Sequence, residues 1–375
     1  MLFSQVIGQS KIKSRLISSV KAERIPHAQL FHGPEGCGSL VLAIAYAQYI
    51  CCENKSDSDS CGICHSCRKF EKLVHPDLHF AYPVNTSKDI SKDPVSDDYI
   101  ALWREQILSN PYFRSSQWYN FIGIENKQGL ISKNESESII RKLNLKSFES
   151  EYKILIIWLP EKMNATASNM LLKLIEEPPE KTIFLLVSEE PQQVLLTIAS
   201  RTQPIKLDRL SNSEIKEALQ SGYEVHADVA ASIARLSNGS FIAALENLEK
   251  SEEQSFNFSQ FTTIMRLSYM RNIPEINNWV DEMSGIGRER LKSFFNYALR
   301  IIRENFILNL QNPEIVYLSI EEEQFSEKFH PYINGRNIMA ISEEINAASN
   351  DIERNANAKI VLFDMALKIV KLIRK

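Results

Sequence analysis

Apolar positions along the chain fall into two regimes. Up to Leu207, short continuous apolar runs alternate with amphipathic stretches; beyond it, every patterned stretch has helical spacing. Ile12, Leu16, Ile17 and Val20 follow Gly8-Gln9-Ser10 and predict a helix from Lys11 to Val20. Ala28 to His32 is a short apolar run ending at a Gly-rich loop, and Val41 to Ile50 is apolar enough for a buried helix. Leu78 to Tyr82 reads as a strand, and a helix is expected from about Ser136 to Leu143. Lys153 to Trp158 and Thr182 to Ser188 are continuous apolar runs, the pattern of strands covered on both faces of a parallel sheet. Between them, Asn164 to Ile175 places Ala167, Met170, Leu171, Leu174 and Ile175 on one helical face, with Pro178-Pro179 after its end. Pro204 to Leu207 closes a region, 1–207, whose alternation of strands and helices predicts an α/β fold on a parallel sheet.

After Leu207 the expectation is all-α. Ser211-Asn212-Ser213-Glu214 is a capping box in front of Ile215, Ala218 and Leu219. With Val229 to Leu236 and Phe241 to Leu248 it predicts a three-helix unit over 208–250, followed by a polar linker from Glu249 to Gln254. Residues 251–375 then read as a helical domain. One apolar stripe runs through Leu291, Phe294, Phe295, Ala298, Leu299 and Ile302; another runs through Ile360, Phe363, Met365, Ala366, Ile369, Val370 and Ile373. A chain of 375 residues exceeds what one core usually supports, in keeping with such a division.

A net charge of −4 supplies no broad electrostatic footprint for nucleic acid, so any DNA contact is expected to be local or shared with partners. No run approaches membrane-spanning length, and Met1 to Gln5 carry no basic segment leading into an apolar one. The expectation is a cytoplasmic protein without membrane contact, where six cysteines serve as metal ligands or buried thiols rather than disulfides. Cys52, Cys61, Cys64 and Cys67 form C-x8-C-x2-C-x2-C. The two C-x2-C steps present thiolates from one tight knuckle, and a fourth sulfur at the end of the preceding helix completes a tetrahedron. That predicts a closed, structural Zn²⁺ site; an iron–sulfur cluster would use the same ligands. Cys51 is the spare thiol and His65 a bystander.

Gly33-Pro34-Glu35-Gly36-Cys37-Gly38-Ser39-Leu40 has the outline of a phosphate-binding loop, G-x-x-x-x-G-K-[ST], with Gly33 and Gly38 at the glycine positions. Ser39 and Leu40 replace the lysine that would reach the outer phosphates and the hydroxyl that would hold magnesium. The run Lys153 to Trp158 ends in Leu159-Pro160-Glu161, so the acidic pair of a hydrolytic site is also missing. A degenerate loop that binds no ATP is expected. Between Asn85 and Asn134 lies an insertion that begins as a polar loop and then carries Tyr99, Trp103, Tyr112, Phe113, Trp118, Tyr119 and Phe121. Few basic residues interleave these rings, so a packed insertion is favoured over a base-stacking surface.

Four segments together resemble the AAA+ subunits of the bacterial replicative clamp loader. They are His27-Ala28-x-Leu30-Phe31-x-Gly33-Pro34, the cysteine knuckle, Asn169-Met170-Leu171-Leu172-Lys173-Leu174-Ile175-Glu176-Glu177-Pro178-Pro179, and Thr197-Ile198-x-Ser200-Arg201. The resemblance covers roughly the first 250 residues and implies an AAA+ P-loop-type parallel sheet domain with a zinc knuckle, a helical lid over 208–250 and a helical collar domain over 251–375. In Gly239-Ser240-Phe241-Ile242-Ala243-Ala244-Leu245, Ile242 stands where the lid arginine of a motor subunit would be. With the loop lysine and the acidic pair also absent, the resemblance is to the non-hydrolysing stator subunit. It implies that Arg201, with Ser200, reaches in trans into a neighbour's nucleotide site; Thr202 replaces the usual cysteine of that motif. The implied partners are the tau and gamma motor subunits, the clamp-opening delta subunit and, through the complex, the sliding clamp and primed DNA.

Two other readings have their own grounds. Backbone amides alone can hold a phosphate, which would suit an ATP-binding AAA+ subunit with an unusual loop. Arg68 and Lys69 beside the cysteines would suit a zinc-knuckle nucleic-acid binder.

Overall fold

The computed structural model describes residues 1–88, 90, 92–124, 127–309 and 318–374. Positions 89, 91, 125 and 126 of the expected insertion, and 310–317 and 375 of the C-terminal region, lie outside these described residues. The chain divides into two compact units, Met1–Asn247 and Leu248–Lys375.

In the first unit, α1 (Ser10–Lys21) leads to β1 (Ala28–His32), the Gly-rich loop and α2 (Ser39–Cys51). All 13 residues of α2 are buried, which explains why its sequence shows no polar face. α3 (His65–Glu71) and β2 (Leu78–Ala81) precede the insertion, which carries α4 (Ile100–Ser109) and α5 (Ser115–Phe121). There follow α6 (Lys133–Leu143), β3 (Lys153–Trp158), α7 (Ala165–Glu176), β4 (Thr182–Ser188), α8 (Leu196–Ala199) and β5 (Gln203–Lys206). The five strands form one parallel sheet in the order β2-β3-β4-β1-β5. β3 and β4 are buried along their whole lengths, as continuous apolar runs require. Leu30, Leu155, Ile157, Phe184 and Leu186 pack on one side of the sheet against Ile139 and Leu143 of α6 and Leu171 and Ile175 of α7. α6 starts earlier than its apolar pattern suggests because Ser132 caps it, accepting from the Glu135 N–H.

The aromatic insertion is packed, as its few basic residues led us to expect. Trp103 stacks on Tyr82 at 4.0 Å and meets Trp118 edge-on at 5.1 Å, and both tryptophans are fully buried. The Trp118 indole N–H donates to the Pro83 carbonyl at 3.0 Å.

The first unit ends in α9 (Asn212–Tyr223), α10 (Ala227–Leu236) and the start of α11 (Phe241–Met270). The capping box at Ser211 is formed: its hydroxyl accepts from the Glu214 N–H while Glu214 accepts from the Ser211 N–H. Glu249 to Gln254, read from sequence as a linker, are helical within α11. They are largely exposed, and Glu, Lys and Gln without Gly or Pro give a solvated helix no reason to stop.

The second unit comprises the remainder of α11 with α12 (Ile273–Ser284), α13 (Arg288–Asn309), α14 (Ile320–Phe329), α15 (Ile338–Glu353) and α16 (Ala358–Leu372). Its core gathers Phe261, Trp279, Phe294, Phe295, Ile341 and Leu362 with their neighbours, so both sequence stripes face inward here except at Ile360, which lies in the first turn of α16 and is exposed. Among the described residues no helix is long and apolar enough to cross a membrane.

Candidate functional site

The Gly-rich loop lies at the carboxyl edge of the sheet, where parallel α/β sheets place their ligands. Gly36 and Gly38 both have positive φ, +78° and +90°, and Gly38 caps α2. The positions that should carry the phosphate chemistry are buried and line the small remaining cavity over the loop. The Ser39 hydroxyl shares a 3.3 Å hydrogen bond with the Cys37 thiol, and Leu40 offers only an apolar side chain.

The space above the loop is occupied by the chain itself. A Cβ on Gly38 would lie 3.3 Å from the Tyr112 ring, and a Cβ on Gly36 would lie 2.2 Å from the Ser240 hydroxyl. The Tyr112 hydroxyl accepts from the Ile7 N–H at 3.1 Å, and its ring meets Phe241 edge-on at 5.0 Å. A cavity of only about 30 Å³ remains, lined by the loop, Pro111, Tyr112, Phe113, Trp158, Glu189 and Ile242. That is room for about one water, whereas small-molecule sites run to roughly 300 Å³ or more.

Arg114 donates to Glu35 of the loop at 3.0 Å and to Glu246 of α11 at 2.8 Å. Glu161, which follows β3, accepts from the N–H groups of Glu189 and Glu190 at 3.1 and 3.3 Å and so ties the ends of β3 and β4 together. Burial, reinforced by Glu35 and Glu161, pushes the Glu189 carboxyl up to about 7. Sequence reasoning placed Glu161 but missed Glu189, Tyr112 and Arg114, which carry no motif and reach the loop only through the fold.

Arg201 sits elsewhere. It precedes β5, whose first residue, Gln203, pairs with Gln29 near the amino end of β1. The loop begins past the other end of β1, so about 13–16 Å of strand separates the two. The Arg201 side chain is exposed, donating from Nε to Glu176 and from a terminal nitrogen to the Thr197 carbonyl at 2.9 Å. Ser200, also exposed, donates to the same carbonyl at 3.3 Å.

The four cysteines of the knuckle converge, with all sulfurs within 4.8 Å of one another. Cys52 ends α2, and Cys64 caps α3 by accepting from the Cys67 N–H at 3.4 Å. The Cys52–Cys61 and Cys61–Cys67 sulfur separations are 3.6 and 3.9 Å. These are too long for disulfides and close to the edge of about 3.8 Å expected of a tetrahedron with metal–sulfur bonds of about 2.3 Å. The Cys61 N–H donates to the Cys52 sulfur at 3.3 Å and the Cys64 N–H to the Cys61 sulfur at 3.4 Å, an arrangement suited to thiolates. The residues therefore fit a metal ion. Asp59 accepts from the N–H groups of Phe3 and Ser4, both at 2.9 Å, and pins the loop between Cys52 and Cys61. Cys51 points away from the cluster, accepting from the Ser150 hydroxyl at 3.2 Å, and burial pushes its thiol up to about 12. His65 is exposed on α3.

Comparison with known proteins gives this geometry a setting. The family described as DNA polymerase III, delta subunit has a model that matches residues 8–211. DNA polymerase III subunit delta' of Bacillus subtilis (strain 168) is 27% identical over 249 residues, 66% of this chain and 60% of that protein. Subunit delta' of Yersinia pestis is 30% identical over 189 residues, 50% of this chain and 43% of that protein. Subunit gamma/tau of Mycobacterium bovis (strain ATCC BAA-935 / AF2122/97) is 28% identical over 201 residues, 53% of this chain and 27% of that protein. The chain spans less than two thirds of the length of these curated relatives.

Proposed function

The chain belongs to the DNA polymerase III delta subunit family, and we propose that it is the non-hydrolysing stator of a cytoplasmic clamp loader, the assembly that places the sliding clamp on primed DNA. One observation carries this reading. Arg201 is exposed at the amino edge of the sheet, about a strand's length from a cleft at the carboxyl edge that the chain fills itself. It cannot serve its own loop, and its planar fork is suited to charge developing on a phosphoryl group in a neighbouring motor subunit. Ser200, beside it on the Thr197 carbonyl, helps to hold the turn that presents it. The partners are then tau or gamma motor subunits and the clamp-opening delta subunit, with the clamp and DNA met through the complex. Residues 208–250 serve as the lid and 251–375 as the collar.

Zinc is the ion we assign to Cys52, Cys61, Cys64 and Cys67, because four sulfurs at tetrahedral spacing match its preference and leave no open position. Bound there, it would hold the end of α2 to the start of α3 as a structural cross-link.

The test is reconstitution with motor and clamp-opening subunits, followed by ATPase assays with clamp and primed DNA. Arg201→Ala should leave the mass of the complex unchanged and lower stimulated hydrolysis by about tenfold or more. An unchanged rate would remove the role assigned to Arg201, and a chain that stays alone would remove the stator reading.

A further inference from the structure

We propose that Pro111–Arg114 is a built-in occupant of the cleft: it fills the space a nucleotide would need and clasps the loop to the lid helix. This deepens the stator reading and rests on it, since it identifies a physical barrier to nucleotide in addition to the lost motif residues. Three observations on separate residues converge.

Tyr112 is the filler. It is 6% exposed, lies against Gly38 so closely that a Cβ there would come within 3.3 Å of its ring, and is held at both ends, by the Ile7 N–H on its hydroxyl and by Phe241 against its ring. Phe113, packed on Trp158 at 5.2 Å, anchors the segment from below. A phosphate approaching the start of α2 would have to displace a buried tyrosine, because the remaining cavity has room for about one water.

Arg114 is the clasp. Its guanidinium joins Glu35, within the loop, to Glu246, on α11 of the lid. The backbone adds a second tie, since the Phe241 N–H donates to the Gly36 carbonyl at 3.1 Å, and the Gln9 side-chain amide bridges the Cys37 and Asp208 carbonyls at 3.2 and 2.8 Å. Loop and lid are thus fixed to each other by the chain's own groups.

The electrostatics point the same way. Glu189 lines the remaining cavity, Glu35 belongs to the loop, and Glu161 lies within hydrogen-bond reach of the Glu189 backbone. Arg114 is committed to two carboxylates. An anionic ligand would enter acidic surroundings even after the tyrosine had moved.

The experiment uses the full-length chain and magnesium-ATP as probe, with binding measured by calorimetry. S39K/L40T restores the motif residues and should still bind no more tightly than wild type. S39K/L40T/Y112A should bind at least about tenfold more tightly than S39K/L40T. Equal affinities for these two variants, or a triple variant that binds no better than wild type, would overturn the filler. Because Tyr112→Ala also removes buried aromatic packing, the clasp is read separately by hydrogen exchange on Arg114→Ala, which leaves that packing in place. Amides of residues 36–42 and 241–247 should exchange at least about tenfold faster; unchanged exchange in both segments would overturn the clasp. These measurements are made on the chain alone, so their failure is distinct from a failure of the Arg201 ATPase test in the complex.

Discussion

Glu176, the last residue of α7, holds the Nε–H of Arg201. Both side chains are about 40% exposed, 42% and 38%, so the pair contributes at most about 1 kcal/mol to stability. Glu176→Gln and Arg201→Ala should each shift the urea midpoint of the isolated chain by less than that. A larger loss would make Arg201 a structural residue and would count against its role in a neighbouring subunit.

Asp77 is the opposite case, a carboxylate enclosed by backbone. It is 2% exposed and accepts from the N–H groups of Phe148 at 2.6 Å and of Glu149 and Ser150 at 2.8 Å, fixing the turn that leads into β3. Burial would push its carboxyl up, but the three N–H donors outweigh it and hold the group below the usual carboxylate range. A depressed value in the folded state means stability that is present above about pH 4 and lost as pH falls through the lower folded value. Asp77→Ala should cost about 2–4 kcal/mol at pH 7 by urea denaturation. Asp77→Asn should flatten the acid limb of the stability curve below pH 4.

Glu189 carries the reverse sign. Its folded-state value of about 7 lies above that of an unfolded glutamate, so the native chain holds a proton that the unfolded chain releases earlier. The contribution is fully present below about pH 4.5 and disappears as pH rises through 7. Glu189→Gln should therefore be nearly neutral at pH 5 and stabilising by roughly 1–3 kcal/mol at pH 8. Melting temperatures at the two pH values would decide it, and equal shifts at both would refute the assignment.

The cysteine cluster predicts a metal-dependent fold for the segment from Cys52 to Glu71. Purified protein should contain about one zinc per chain, and removal by a strong chelator should lower the melting temperature substantially, since binding free energy at such sites is folding free energy. Cys64→Ser should behave like the metal-free protein. Cys51→Ser, outside the cluster, should retain the full metal content by elemental analysis.

Much of the first unit was legible because its strands lie at the centre of a parallel sheet. Residues 153–158 and 182–188 read as continuous apolar runs with the bounds observed for β3 and β4, and the knuckle's short spacing gave the sulfur cluster directly. What lies far apart in sequence was not legible. Tyr112 reaches Gly38 across more than 70 residues, and nothing local marks that one ring of an aromatic insertion lies on the loop while Trp103 and Trp118 pack on Tyr82. Glu246 and Glu35 become partners of Arg114 only once α11 is placed. The helical state of 249–254 was misread because polar composition marks solvent exposure, and exposed helices share it with linkers.

The placement of Arg201 at one edge of the sheet and of a filled cleft at the other gives the subunit a direction. In a row where each member lends an arginine to the next one's nucleotide, every interior member must both give and receive. On the proposed reading, this chain gives an arginine and has no open cleft in which to receive one. If Arg201 serves a neighbour as proposed, such a row passes its arginines in one direction only, and this chain would stand at one end of it.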